Sequence, residues 1–182
     1  VVGREPNSKY NETWNGVQML QNHQFPDGVD PYVEKDNPES GLLWGISPSK
    51  MAETGSGDSM VQAYNYRICL TTDKDNMLPI ECPANYNPQH YELLLRVIEA
   101  FKSENLSSYF IISPMPNNKT DINNRGAFST DMIGMNHNYP EASYAEREQI
   151  IQAHKDYTLG LLWFMGHDER VPQKLREQML SY

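Results

Sequence analysis

Cysteine is nearly absent from this sequence: its 182 residues contain two, Cys69 and Cys82. Two thiols make no disulfide framework. They read as unrelated, with Cys69 expected to be buried in a strand. Long apolar runs are missing too. The longest, Leu159 to Met165 broken by Gly160, falls far short of the roughly 18 apolar residues of a bilayer span. Basic charge is scarce, with 15 Lys and Arg against 24 Asp and Glu and a net charge of -9. Phosphate would repel such a chain, which excludes a general nucleic-acid binder.

What the chain does have is aromatic mass: 11 Tyr, 5 Phe and 3 Trp. These large, stiff surfaces argue against wholesale disorder, although mean hydropathy is only -0.68. The length fits one domain or two small ones. Val1-Val2-Gly3 at one end and Ser181-Tyr182 at the other read as cuts in a longer polypeptide, with Val1-Val2 the tail of a strand. Along the chain, residues 1–59 are rich in Pro, Gly, Asn and Asp clusters and read as loops. Residues 60–116 read as strand–helix–strand, 117–139 as a polar loop and 140–182 as helical. The fold class expected is α+β, a single unit of residues 1–182 with a small sheet, two to three helices and long loops.

Residues 60–70 give the clearest strand. Tyr64, Tyr66, Ile68 and Leu70 alternate with Val61, Ala63, Asn65, Arg67 and Cys69, so Asn65 and Arg67 project together, opposite the aromatic face. An arginine inside a covered strand needs an anionic or carbonyl partner. Residues 88–105 read as a helix whose inner stripe is Tyr91, Leu94, Leu95, Ile98 and Phe101, capped by Asn87 ahead of Pro88. Residues 109–112 form a short buried strand. A second helix is expected from Pro140 or Glu141 to about Met165, with Asn138 as its cap. Its inner stripe would be Tyr144, Ile151, His154, Leu161, Leu162 and Met165. A third helix starts at Pro172.

Candidate chemistry gathers in the 117–137 loop, where Asp121, Asn123, Asn124, Ser129, Thr130, Asp131, Asn136 and His137 stand close in sequence. Two readings compete: amides that cap turns, and a site for a polyhydroxylated or otherwise polar ligand. His137 is the candidate base, and His23 a second. His154 reads as a satisfied structural histidine, and His90 as facing solvent. Trp14 and Trp44 read as plugs at the edge of the core, and Trp163 as helix packing. There is no HExxH or cysteine–histidine spacing for zinc and no GxSxG elbow. Neither GxGxxG nor GxxxxGK[ST] occurs. Gly55-Ser56-Gly57-Asp58 precedes a strand, whereas a dinucleotide fingerprint follows one.

Read in order, VGREPNSKYNETWNGVQ (2–18), SGLLWGIS (40–47), AYNYRICLT (63–71) and KTDINNRGAFSTD (119–131) resemble the central region of a bacterial family of FAD-dependent oxidoreductases. The resemblance spans essentially the whole chain. Some members carry a xanthan lyase label, but nothing in this chain suggests an elimination on polysaccharide. The resemblance implies a cap or substrate domain fragment of a larger flavoprotein, partnered by a flavin-binding domain of the same polypeptide. FAD is then implied for the parent chain, its main binding motif being absent here. The expected activity is oxidation of a polar, carbohydrate-like small substrate by hydride transfer to flavin, with no activity in the isolated fragment. From the residues themselves, His137 is the expected proton acceptor, and Asn65, Arg67, Asp121, Asn123 and Asn124 are the expected substrate contacts; no residue is assigned to the cofactor or to a metal. The alternative is a non-catalytic module that binds glycans or another protein. The cellular compartment is left open.

Overall fold

Four local features start the helices, and each is legible in its own residues. The computed structural model describes residues 3–19 and 23–182; the suggested strand tail at Val1-Val2 lies outside the described residues. Asn87 accepts a hydrogen bond from the Gln89 N–H, and Pro88 opens a 3₁₀ turn, Pro88–Tyr91. That turn runs directly into helix α1, Glu92–Phe101. Helix α2, Tyr144–His167, begins at Ser143, which forms a reciprocal capping box with Glu146. The cap is therefore Ser143, not Asn138. The box satisfies two orphan N–H groups at once, and the chain before it is held in turns. Helix α3 is Gln173–Met179, preceded by Pro172.

The sheet is small and antiparallel, in the order β1-β3-β2, with β1 at Cys69–Thr71, β2 at Phe110–Met115 and β3 at Lys119–Asn124. The central strand β3 comes from the segment that reads as loop. Its Thr120 and Ile122 are buried between less buried neighbours, a period-two pattern carried by residues of low strand propensity. Asn117 and Asn118, both at positive φ, make the turn into it, a conformation asparagine tolerates.

The expected strand over 60–70 forms only at its end. Residues 62–65 face a loop rather than a strand: the Met132 N–H donates to the Tyr64 carbonyl at 3.3 Å, and Asn65 bridges Asp131. A regular ladder begins only where β3 runs alongside, from Cys69 opposite Asp121. Alternation does hold from Tyr66 to Leu70. Leu70 is buried, while Arg67 and Cys69 share the outer side, so Cys69 is exposed, not buried. Cys69 and Cys82 are both free.

The core lies where α2, α3 and the 88–101 segment meet the inner face of the sheet. Tyr91, Leu94, Ile98, Phe110, Ile122, Leu161, Phe164, Met165, Val171 and Leu175 are all buried. The expected stripe of α1 fails at its end, where Phe101 is 51% exposed, and that of α2 fails over its first half, where Tyr144 is 88% and Ile151 38% exposed; His154, Leu161, Leu162 and Met165 are buried as expected. Helix α1 stops at Lys102, which adopts a left-handed conformation, rather than at residue 105. Asn105 then caps a new 3₁₀ turn. Arg96, on the polar side of α1, is covered by the loop over 30–33: it pairs with Asp30 at 2.8 Å and donates to the carbonyls of Asp30, Tyr32 and Val33. His90 does not face solvent freely. It stacks on Trp44 with ring centroids 4.3 Å apart, so Trp44 closes the core edge as expected. Trp14, 75% exposed, does not.

Two buried tyrosines tie these parts together. Tyr91 Oη donates to the Tyr157 carbonyl at 3.0 Å, and Tyr157 Oη donates to the Ser129 carbonyl at 2.6 Å. Burial pushes both phenols well above their ordinary value, so both remain donors. The first contact needs Gly160, because a Cβ there would lie 2.3 Å from Tyr91 Oη.

Two outcomes follow from this packing. Gly160→Ala should destabilise the protein by about 1–3 kcal/mol in urea melts. Adding Tyr91→Phe to it should cost less than the two single changes summed, because the Oη that the new methyl strikes is gone. Stability should also fall with acid through His90. Burial lowers its pKa from the ordinary 6.5, so the unfolded chain takes up the proton first. Its contribution is complete above pH 6.5 and lost as pH drops toward the folded-state value. His90→Phe should flatten that part of a stability–pH curve.

Candidate functional site

The predicted site residues separate into two groups. Asn65, Arg67, Asp121, Asn123 and Asn124 come together where the 61–70 segment meets β3. Asn65 Nδ2 donates to Asn123 Oδ1 and to Thr130 Oγ1, both at 2.9 Å. Asn123 Oδ1 also accepts from the Asn124 N–H at 2.8 Å, and Asn124 Nδ2 donates to Asp131. Arg67 forms a two-pronged ion pair with Asp121, its Nε donating to Oδ1 at 3.2 Å. The partner that the arginine requires is thus its neighbour in β3. The pair is half exposed, with side chains 50% and 33% accessible, which limits its worth to stability.

This bonding explains the density of amides in the loop. Thr130 and Ser129 are buried, and the wholly buried Asn136 donates to the Gln62 carbonyl at 2.7 Å. The polar groups of 117–137 largely fasten that loop to residues 62–67.

His137 stands apart. It lines a cleft of about 1110 Å³ with Arg4, Ser47, Met60, Gln62, Tyr64 and Met135 among others. It has no hydrogen-bond partner among the described residues. Sequence reasoning passed over its nearest charged neighbours. Asp58 pairs with Arg4, which holds its carboxyl below the usual carboxylate range, and His137 adds to that effect. An ionised carboxylate therefore stands within electrostatic reach of this imidazole. The cleft floor mixes apolar side chains (Ile46, Met60, Val61, Ile133) with few polar groups, a composition common in small-molecule sites. His23 is elsewhere, its Nδ1 3.0 Å from the Gly126 carbonyl.

A family model described as FAD dependent oxidoreductase matches residues 1–179. The chain belongs to that family. No curated protein and no solved structure matches it. FAD is accordingly the cofactor of the family. Among the described residues the three paired strands run antiparallel. The glycines of 55–57 permit close packing. A Cβ on Gly55 would meet the Asn7 side chain at 2.3 Å, and one on Gly57 would meet Pro6 at 2.7 Å. Their bareness lets residues 3–17 pack against 55–58, a seam closed by backbone bonds such as Val17 N–H to the Ser56 carbonyl at 2.8 Å. Among the described residues no group of three or more His, Cys, Asp or Glu could hold a metal, and no helix is long and apolar enough to cross a membrane.

Sequence reasoning also misjudged His154. It is buried as expected, but only half satisfied: Nδ1 lies 2.7 Å from the Ile150 carbonyl, and Nε2 has no partner. No local pattern signals this, because it depends on what the distant residues 64–66 and 139 leave open.

The two kinds of contact in the polar cluster should respond differently. Arg67→Ala should cost no more than about 1 kcal/mol in urea unfolding. Asn123→Ala strips an acceptor from both Asn65 Nδ2 and the Asn124 N–H, and should cost about 1–3 kcal/mol.

Proposed function

We propose that this chain is the substrate-side segment, or cap, of its FAD-dependent oxidoreductase, and that the cleft bearing His137 receives a polar, carbohydrate-like small substrate. The carrying observation is the pairing of a roomy, largely apolar cleft with one imidazole that has no hydrogen-bond partner among the described residues. FAD, when bound, supplies the acceptor for the substrate's hydride. A flavin-binding domain of the same polypeptide would hold it. The residues of this chain do the rest. His137 takes the proton from a substrate hydroxyl at an imidazole nitrogen. Gln62 and Ser47 offer polar groups for substrate hydroxyls, while Met60, Ile46 and Ile133 line the apolar side.

Asn65, Arg67, Asp121, Asn123 and Asn124 have a different part in this reading. Their mutual bonding supports a role in carrying the 125–137 loop, and so in fixing His137, with the half-exposed Arg67 and Asp121 left as the members able to reach a ligand. A rival reading, a non-catalytic glycan- or protein-binding module, draws support from the exposed Tyr10 and Trp14, 60% and 75% accessible.

In the full-length enzyme, His137→Ala should slow flavin reduction by substrate by at least about 100-fold, while the bound flavin's absorbance stays unchanged. Reduction at the wild-type rate, followed by stopped-flow absorbance, would rule out the histidine as base. An intact protein that binds oligosaccharide without flavin would favour the module.

A further inference from the structure

The imidazole of His137 makes no hydrogen bond among the described residues, so its place in the cleft is set by the backbone that carries it. That backbone is a turn. The Tyr139 N–H donates to the Asn136 carbonyl at 3.0 Å, which puts His137 at the second position of a four-residue turn over 136–139. Both ends of the turn are tied down. At its start, the wholly buried Asn136 donates from Nδ2 to the Gln62 carbonyl at 2.7 Å, and Gln62 itself lines the cleft.

The other end is held from α2 by one side chain. Arg147 Nε donates to the Tyr139 carbonyl at 3.0 Å, and Arg147 Nη2 donates to the Pro140 carbonyl at 2.7 Å. The guanidinium also lies over the Tyr139 ring, 5.3 Å from its centroid, and over the Tyr144 ring at 5.8 Å. A planar fork laid on aromatic faces keeps a narrow range of orientations, which a flexible ammonium would not share. Of residues 144–149, Arg147 alone is not exposed, so it is the side chain that ties this part of α2 to the rest. Its reach continues into the cleft. The Tyr139 ring packs edge-on against Tyr64 at 5.3 Å, and Tyr64 is one of the cleft's walls.

We propose that Arg147 is the positioning residue of this cleft: by gripping the Tyr139 and Pro140 carbonyls it braces the 136–140 segment and so fixes where the His137 imidazole stands. It acts through the backbone and through Tyr139, not by touching a substrate. A misplacement of about 1 Å can cost a reaction about 100-fold in rate, and an imidazole with no hydrogen-bond partner of its own relies on such a brace to avoid it. That consequence for catalysis rests on the proposed function. The brace itself is independent of it.

The test reads amide ¹⁵N relaxation in the full-length protein labelled with ¹⁵N-histidine, without any substrate. The His137 amide should be rigid in the wild type, with an order parameter of about 0.85, and should fall below about 0.6 in Arg147→Ala. The His154 amide, about two turns further along α2, should stay rigid. Arg147→Lys keeps the cation and the aliphatic stem but cannot fork to two carbonyls, so His137 should loosen there as well. That variant decides the matter if Arg147→Ala does not fold. Glu148→Gln, at an exposed neighbouring position, should change neither amide. The proposal is overturned if His137 is already mobile in the wild type or stays rigid in either folded Arg147 variant. It is equally overturned if His154 loosens as much as His137 in Arg147→Lys, which marks a general loss of stability. If His137→Ala leaves flavin reduction at the wild-type rate while Arg147→Lys loosens His137, the base assignment falls and the brace stands. A rigid His137 in Arg147→Lys sinks the brace and leaves the base assignment untouched.

Discussion

The relay of two tyrosine hydroxyls is the contact on which the rest of this structure depends. Tyr91 reaches the backbone of α2 at Tyr157, and Tyr157 reaches the polar loop at Ser129. Three segments far apart in sequence thus meet through donors that burial keeps protonated. Each phenol also delivers a large apolar ring to the core, where Tyr91 stacks on Tyr157 and leans on Phe164. A hydrophobic contact alone would tolerate sliding. A buried carbonyl that must be met by one hydroxyl does not. The loop bearing His137 and the helix bearing His154 are thereby set in a fixed relation.

Much of this was legible in the sequence where a single element decides its own shape. The 88–101 segment shows its Asn-Pro start and its three- and four-residue apolar spacing, and α2 shows its buried second half. The start of α2 is also written locally as Ser143-x-x-Glu146, since a serine three residues before a glutamate is a known opening signature. Strand β3 was hidden for a better reason. Its period-two pattern rests on Thr120 and Ile122 alone, and the asparagines and aspartate around them favour turns in isolation. Sheet pairing on both sides overrides that preference. Conversely, residues 60–66 have strand composition, but their neighbour in space is a loop, so a ladder never forms there.

The chemistry was less legible than the fold, because it depends on which polar atoms remain unused after folding. The loop amides looked alike in sequence. In three dimensions most are bonded to one another, while His137, the spare oxygen of Asn65 and the far nitrogen of His154 are not. The chain belongs to the FAD-dependent oxidoreductase family, and the glycines at 55 and 57 are committed to close packing against Asn7 and Pro6.

The placement of β3 in the middle of the sheet has a consequence for self-association. Among the described residues no strand pairs with the outer side of β1 or β2, yet neither is a good template for a foreign chain. One margin, β1, is only three residues long. The other, β2, ends in Ser113-Pro114-Met115, followed by Pro116, and a proline has no N–H to offer an incoming strand. A chain trying to lengthen the sheet would find too little backbone on one border and missing donors on the other, so the sheet resists fibre-like growth without needing a covering helix.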